Sequence, residues 1–156
     1  MTPAKSAVKK KPVYRKLSAI ETRKLLQTSG FVQMLGGRLA RVHPDGVTLA
    51  CPVHAGVHNV YGALHGGVPA SMADTAAGIA LHRHFGGQQP MTTVEFKINY
   101  FLPVHEGTLF ARARLVRVGS SICVVSVDLT DSERRLVGMA LVTYMLLGNQ
   151  IGRAHV

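Results

Sequence analysis

Cysteine is scarce in this chain: Cys51 and Cys123 are the only two among 156 residues, and their separation excludes a CxxC pair or any other cysteine metal spacing. Both lie in apolar, strand-like segments, so they are read as buried free thiols of a reducing compartment rather than as a disulfide. Long hydrophobic runs are lacking as well. Although 47% of the residues are hydrophobic, no uncharged apolar stretch approaches the roughly 18 to 20 residues needed to cross a bilayer. The early lysines precede no apolar stretch and no small-residue cleavage site, which argues against a secretory signal and sets the expectation of a cytoplasmic protein. Internal repeats, low-complexity segments and any compositional boundary between domains are also missing, and the length suits one domain with its own core.

Acidic residues are few, 8 against 18 basic ones, for a net charge of +10. None falls in the first 17 positions, which hold Lys5, Lys9, Lys10, Lys11, Arg15 and Lys16 together with Pro3 and Pro12. Residues 1–17 are therefore expected to form a flexible basic tail, residues 18–147 the folded domain and residues 148–156 a second tail. No basic strand interleaved with aromatic residues follows, so the charge is read as a solvated arm rather than a nucleic-acid-binding surface. The milder excess in the body still favours a polyanionic ligand.

What the chain does contain is a regular alternation of turn signals and apolar segments. Ser18 followed by Glu21 forms a capping-box pattern and predicts a helix to about Thr28, ended by Gly30. Segments 38–42 and 47–52, joined by His43-Pro44-Asp45-Gly46, read as a β-hairpin. After an irregular stretch from His54 to Leu64, a long helix is predicted from Val68 to His84, with Pro69 in its first turn and Gly86-Gly87 as its stop. Four strands follow, at 92–101, 107–118, 121–129 and 136–147. In the first of them Val94, Phe96, Ile98 and Tyr100 alternate with Thr93, Glu95, Lys97 and Asn99, the pattern of a sheet with one buried face. The long helix is rich in alanine and glycine, which permits close approach to a sheet, so an α+β fold with the sheet wrapped around the helix is expected.

Asp74 is the only charged residue between Val68 and Leu81, and it has no basic residue three or four positions away. A mid-helix carboxylate of this kind carries a desolvation cost that calls for a hydrogen-bonded setting or a functional one. Ser71, Asp74, Thr75 and Gly78 share one polar stripe, opposite an apolar one formed by Met72, Ala76, Ile79 and Ala80. Two glycines, Gly66 and Gly67, leave backbone N–H groups unobstructed at the positive end of the helix. An N–H donor for a developing oxyanion and a carboxylate base or nucleophile are the parts needed to attack a carbonyl. By residue type alone His65 is equally a helix-start residue that satisfies backbone groups, Asn59 a turn residue and Thr93 a strand residue. His54 and His58 lack a third ligand for a metal, and His82 and His84 are read as exposed histidines favoured by the helix dipole.

Asn59 six residues before His65, the His65-Gly66-Gly67 triplet, Asp74 nine residues after the histidine, and the later segment TTVEFKINYFLPVHEG together resemble the hotdog-fold acyl-CoA thioesterases. The resemblance is to the branch that includes the phenylacetic acid degradation thioesterase, and it runs from about Leu35 to Leu147. It implies an antiparallel sheet wrapped around a long central helix, and hydrolysis of an acyl-CoA thioester to a free acid and CoA without a metal or other cofactor. It also implies that Gly66 donates its N–H to the thioester oxygen and that His65 and Asn59 hold the thioester and the attacking water. Asp74 is implied as general base or nucleophile, and Thr93, with Thr92 as rival, as the residue that orients water or carboxylate. Gly67, Arg117, Gly119 and Ser120 are the residues assigned to substrate, the last three to CoA phosphate. The family forms dimers or dimers of dimers whose sites are assembled between subunits. A hotdog protein that binds acyl-CoA without turnover is the alternative, although a pure binder needs no base. The acyl group, the choice between dimer and tetramer, and the role of the tail are left open.

Overall fold

A computed structural model describes residues 13–148. Helix α1 (Ala19–Gln27) starts as its sequence predicts: Ser18 Oγ accepts from the Glu21 N–H, and the Glu21 carboxylate accepts from the Ser18 N–H, completing the capping box. Gly30 does not stop the region. Ser29 caps a second short helix, α2 (Gly30–Met34), and the glycine becomes its first residue. Strands β1 (Arg38–His43) and β2 (Gly46–Pro52) form the expected hairpin, with His43 paired to Gly46 across the turn. A 3₁₀ turn at Ala55–Val57 and an irregular loop then lead to α3 (Gly67–His84), followed by β3 (Met91–Tyr100), β4 (Thr108–Val118), β5 (Ile122–Thr130) and β6 (Leu136–Leu146).

The six strands form one antiparallel sheet in the order β1-β2-β4-β5-β6-β3, so the chain enters α3 from the β2 half of the sheet and leaves it for the far edge. Helix α3 packs across the inner face of the sheet. Met72, Ala73, Ala76, Ala77, Ala80 and Leu81 are buried there against Leu49, Leu109, Val125, Val127, Leu129 and Val142. Alanine at four of these helix positions brings the axis close to the strands, which is how one helix fills the concavity of a six-stranded sheet. The α+β arrangement is the one expected from the sequence. Cys51 and Cys123 are free and buried in it, and burial pushes both thiols up, away from the reactive thiolate.

Strand β3 departs from its simple alternation. Thr93 pairs with Tyr144 and Glu95 with Thr143, so Val94 is an extra residue without a partner, a β-bulge. Beyond it Phe96, Ile98 and Tyr100 pair with Val142, Ala140 and Gly138. Thr93 therefore lies on the same face as Phe96 and Ile98, not on the polar face that period-two counting gave it. The expectation of a well-buried apolar face is also corrected, because β3 is a sheet edge and Val94, Phe96 and Tyr100 are exposed.

The end of α3 is tied down by the segment before α1. Leu17 N–H donates to the Arg83 carbonyl at 3.0 Å, and the Tyr14 ring meets Phe85 edge-on with centroids 5.2 Å apart. These residues belong to the stretch expected to be a tail; residues 1–12 of that stretch, and 149–156 at the other end, lie outside the described residues. His82 and His84 are half-buried with Nδ1 atoms that are buried and unpartnered, rather than exposed. Burial holds both imidazoles below their ordinary value of 6.5, the opposite of the dipole effect expected from sequence.

Two outcomes follow from this end of the helix. Gly86 and Gly87 have φ of 63° and 73°, and a Cβ on Gly86 would sit 2.6 Å from the Arg15 carbonyl oxygen. Gly86→Ala is expected to cost at least the ~1–2 kcal/mol of a left-handed L-residue, seen as a fall of roughly 3–8 °C in thermal midpoint. For the histidines, the unfolded chain takes up protons first as pH falls through about 6.5, so stability is full above that pH and declines below it. Denaturant midpoints between pH 8 and pH 5 measure the decline, and His82→Gln with His84→Gln should flatten it.

Candidate active site

Asp74 sits about two turns into α3, half-buried, with no ion-pair partner among the described residues. Its position is set by two hydroxyls. Thr93 Oγ1 donates to Asp74 Oδ1 at 2.8 Å, and the Tyr144 hydroxyl lies 3.0 Å from the same oxygen and 2.9 Å from the Asp74 carbonyl oxygen, sharing its proton between them. Oδ2 takes no hydrogen bond among the described residues. One carboxylate oxygen is thus anchored and the other left unbonded among the described residues.

Tyr144 was not picked out by the sequence reading. It is buried, and burial pushes its phenol well above the usual range, which keeps it a protonated donor. The niche for its hydroxyl exists because residue 78 is glycine: a Cβ there would stand 2.7 Å from the Tyr144 oxygen. The available signal was a tyrosine at an inward position of an apolar strand, opposite a glycine one turn after the aspartate on a helix otherwise rich in alanine.

The helix start is organised separately. Gly66 is the N-cap, with φ −56° and ψ −23°, and no hydrogen bond among the described residues uses its N–H. Its carbonyl accepts from the Tyr100 hydroxyl at 2.7 Å, fastening the helix start to the C-terminal end of β3. His65 Nδ1 accepts from the Gly67 N–H at 2.9 Å, satisfying one of the free donors of the first turn. Gly67 therefore spends on His65 the N–H that was expected to face substrate. An Nδ1 that accepts places the proton of the neutral imidazole on Nε2, making that nitrogen a donor toward the exposed side. Asn59 Oδ1 accepts from the Tyr61 and Ala63 N–H groups at 2.9 and 3.2 Å, the Asx-type turn of the blander reading, and leaves its amide NH₂ available.

Two cavities flank this helix start. One of about 310 Å³ is lined by Asn59, Gly66 and Pro69 together with residues from β3 to β6, and another of about 360 Å³ by His65, Gly67 and Ser71 with Phe31, Leu35 and Val57. Asp74 lines neither. Eight residues of helix at 1.5 Å each place Gly66 and Asp74 about 12 Å apart along the axis, too far for both to act on one carbonyl within a single chain. The β4–β5 turn with Gly119 and Ser120 lies at the Thr93 end of the sheet, since Ile122 pairs with Met145. Arg117, however, pairs with Val124 in the outward row, whereas Cys123, Tyr144 and Thr93 form the inward one. Its guanidinium is thus on the opposite face from Asp74. His54 and His58 have structural partners: His54 Nδ1 accepts from the Gly56 N–H, and His58 Nε2 bonds the His105 carbonyl.

The model of the family described as Thioesterase superfamily matches residues 61–138, a span that takes in the helix start, Asp74 and Thr93. A medium/long-chain acyl-CoA thioesterase, YigI of Escherichia coli strain K12, is 31% identical over 96 residues, covering 53% of this chain and 62% of that protein. The crystal structure of thioesterase HI1161 from Haemophilus influenzae superposes with a TM-score of 0.82 at 22% identity, over 92% of this chain and 100% of that one. A variant of the phenylacetic acid degradation protein PaaI from Thermus thermophilus superposes with a TM-score of 0.70 at 23% identity, over 76% of this chain and 100% of that one. The architecture, a sheet wrapped around one helix, is the hotdog fold.

The Thr93–Asp74–Tyr144 cluster yields a testable split. Tyr144→Phe removes a hydrogen bond to a charged group, a contribution of ~1.5–3 kcal/mol; if half or more of it bears on the reacting carboxylate, kcat should fall roughly tenfold with KM nearly unchanged. Gly78→Ala, which displaces the hydroxyl without removing it, should give the same kinetic signature. Steady-state kinetics of the two variants, with circular dichroism to confirm folding, decide the point.

Proposed function

Because the chain belongs to the thioesterase superfamily, we propose that it hydrolyses acyl-CoA thioesters, with Asp74 supplying the base or nucleophile and the Gly66 N–H holding the oxyanion. The observation that carries this reading is the Asp74 carboxylate: half-buried, anchored through Oδ1 by Thr93 and Tyr144 and, among the described residues, without a cation and unbonded at Oδ2. As a base, Asp74 takes a proton from water while the water oxygen bonds to the thioester carbon and the carbonyl electrons move onto oxygen. The Gly66 N–H, aided by the helix dipole, stabilises that charge. Collapse of the adduct breaks the C–S bond, and the proton held by Asp74 passes to sulfur, giving free acid and CoA. As a nucleophile, Asp74 forms an acyl anhydride with loss of the thiolate, and water then cleaves the anhydride. His65 through Nε2–H and Asn59 through its NH₂ are assigned to holding thioester and water.

The 12 Å spacing is resolved by a second copy. Thr93 ties Asp74 to the beginning of β3 and Tyr100 ties Gly66 to its end. Strand β3 is an open sheet edge with exposed Val94, Phe96 and Tyr100, the kind of surface that accepts another strand. An antiparallel two-fold pairing of β3 with its copy sets the Tyr100 end of one chain beside the Thr93 end of the other, bringing each Gly66 toward the opposite Asp74. The reading is thus a homodimer with two composite sites, or a tetramer built from such dimers. The motif with Asn59, His65-Gly66-Gly67 and Asp74 supports assigning the chain to the phenylacetic acid degradation branch, as a cytoplasmic enzyme. Gly119 and Ser120 are assigned to the CoA phosphates at the sheet end, and Arg117 to the same polyanion around the outer face.

Asp74→Ala is expected to lower kcat by about 10²–10⁴, measured by thiol release from a panel of aryl- and alkyl-CoA thioesters. Gly66→Ala keeps the N–H, its Cβ meeting nothing closer than 3.6 Å, whereas Gly66→Pro deletes the N–H at a compatible φ. The alanine variant should stay active and the proline variant should not. Unfolding and refolding Asp74→Ala and Gly66→Pro together in equal amounts should restore about a quarter of wild-type activity through mixed dimers; no recovery would rule out a shared site, and acyl-CoA binding without turnover in wild type would replace hydrolase with binding protein.

A further inference from the structure

Resting on the hydrolase reading above, we infer that the 310 Å³ cavity beside Gly66 is the acyl subsite and that the substrate acyl group is uncharged, apolar and of medium size, about eight carbons or one tethered aromatic ring. Leu109 and Leu129 are fully buried at the cavity, and Leu64, Val104 and Val137 are buried beside them. Phe101 and Leu102 are about half exposed and form its rim. Among the described residues no charged side chain lines it, and its polar groups are Asn59, Gly66 and the Tyr100 hydroxyl, which already donates to the Gly66 carbonyl. Gly66, the residue of the proposed oxyanion donor, thus shares this lining with side chains that are otherwise mostly hydrocarbon.

Its size and chemistry set the class. At ~30 Å³ per water-sized group the volume takes about ten such groups, near the lower end of ligand pockets. A chain of sixteen carbons exceeds it. An acyl group ending in a carboxylate would bury that charge among leucines and valines without a partner, which is strongly unfavourable. The second cavity is the poorer candidate, because Gly66 does not line it and the N–H of Gly67, which does, is taken by His65. Val104 and Leu102 are then the specificity-determining positions.

The test uses the full-length protein with straight-chain acyl-CoA esters from C2 to C16, phenylacetyl-CoA and a dicarboxylic acyl-CoA. Each added methylene should raise kcat/KM about fourfold until a plateau near C8; C16 and the dicarboxylic ester should each fall at least tenfold below it. Val104→Phe should shorten the preferred chain by about two carbons and lower the C8:C2 ratio at least tenfold. Leu102→Trp, at the half-exposed rim, tests the same wall where Val104→Phe fails to fold. Turnover that is flat with chain length, or variants that slow every ester equally, overturns the subsite while leaving thioester hydrolysis intact. Absence of turnover on every ester defeats the hydrolase reading instead, and calorimetry with the non-hydrolysable thioether S-octyl-CoA then decides the subsite: binding weakened at least tenfold by either variant supports it, and binding that is absent or unaffected overturns it.

Discussion

A carboxylate held inside an apolar helix by two hydroxyls, with no cation among the described residues to neutralise it, is the constraint around which this structure is arranged. Asp74 would be a liability in the run from Val68 to Leu81 were Thr93 and Tyr144 not aimed at it from two adjacent strands. Each donor in turn dictates something nearby. Tyr144 demands a glycine at position 78, because any side chain there would occupy the space of its hydroxyl. Thr93 demands a register in which this residue, at the start of β3, faces inward. A lysine or arginine partner would have stabilised the charge more directly, but it would have engaged the oxygen on which the proposed chemistry relies; hydroxyls orient the group without cancelling it.

The same helix separates the two halves of the proposed chemistry. Gly66 and Asp74 are about two turns apart, so no side-chain motion within one copy closes the gap. The opposite ends of β3 are fastened to these two residues, one by Tyr100 and the other by Thr93. The edge strand is thereby the element that both measures the separation and offers the surface for closing it. Folding and assembly are coupled in this scheme, since the strand that buries least in the isolated chain is the one that holds the reactive groups.

Much of this was legible in the sequence, and the failures have specific causes. The capping box at Ser18, the Asp45-Gly46 hairpin, the extent of α3 and the four later strands all rest on local signals, and they match the structure closely. Asp74 announced itself by solitude in an apolar helix. Gly30 was misread because a glycine after a helix is equally suited to begin the next one behind a serine cap. Thr93 could be placed on the inward face only through a bulge, which alternation cannot reveal, since one extra residue reverses the parity of everything beyond it. Tyr144 was missed because its role depends on Gly78, 66 positions away, so its one signal, an inward strand tyrosine and a helix glycine, joins only in the tertiary structure. The histidines at the end of α3 were misjudged for a similar reason: the chain before α1 packs beside the helix end and takes away the solvent that a dipole argument assumes.

The two edges of the sheet are unlike, and this limits how far the sheet can grow. Strand β1 is short, bears Arg38 and Arg41, has an irregular register between Leu39 and Arg41, and has α1 packed against it. Each of these features discourages another strand from joining. Strand β3 is longer, ten residues, and although it carries Glu95, Lys97 and one bulge, it also exposes Val94, Phe96 and Tyr100. In the proposed assembly two copies share β3, after which only the β1 borders remain outside. The asymmetry thus separates a finite particle from an open-ended β-ribbon.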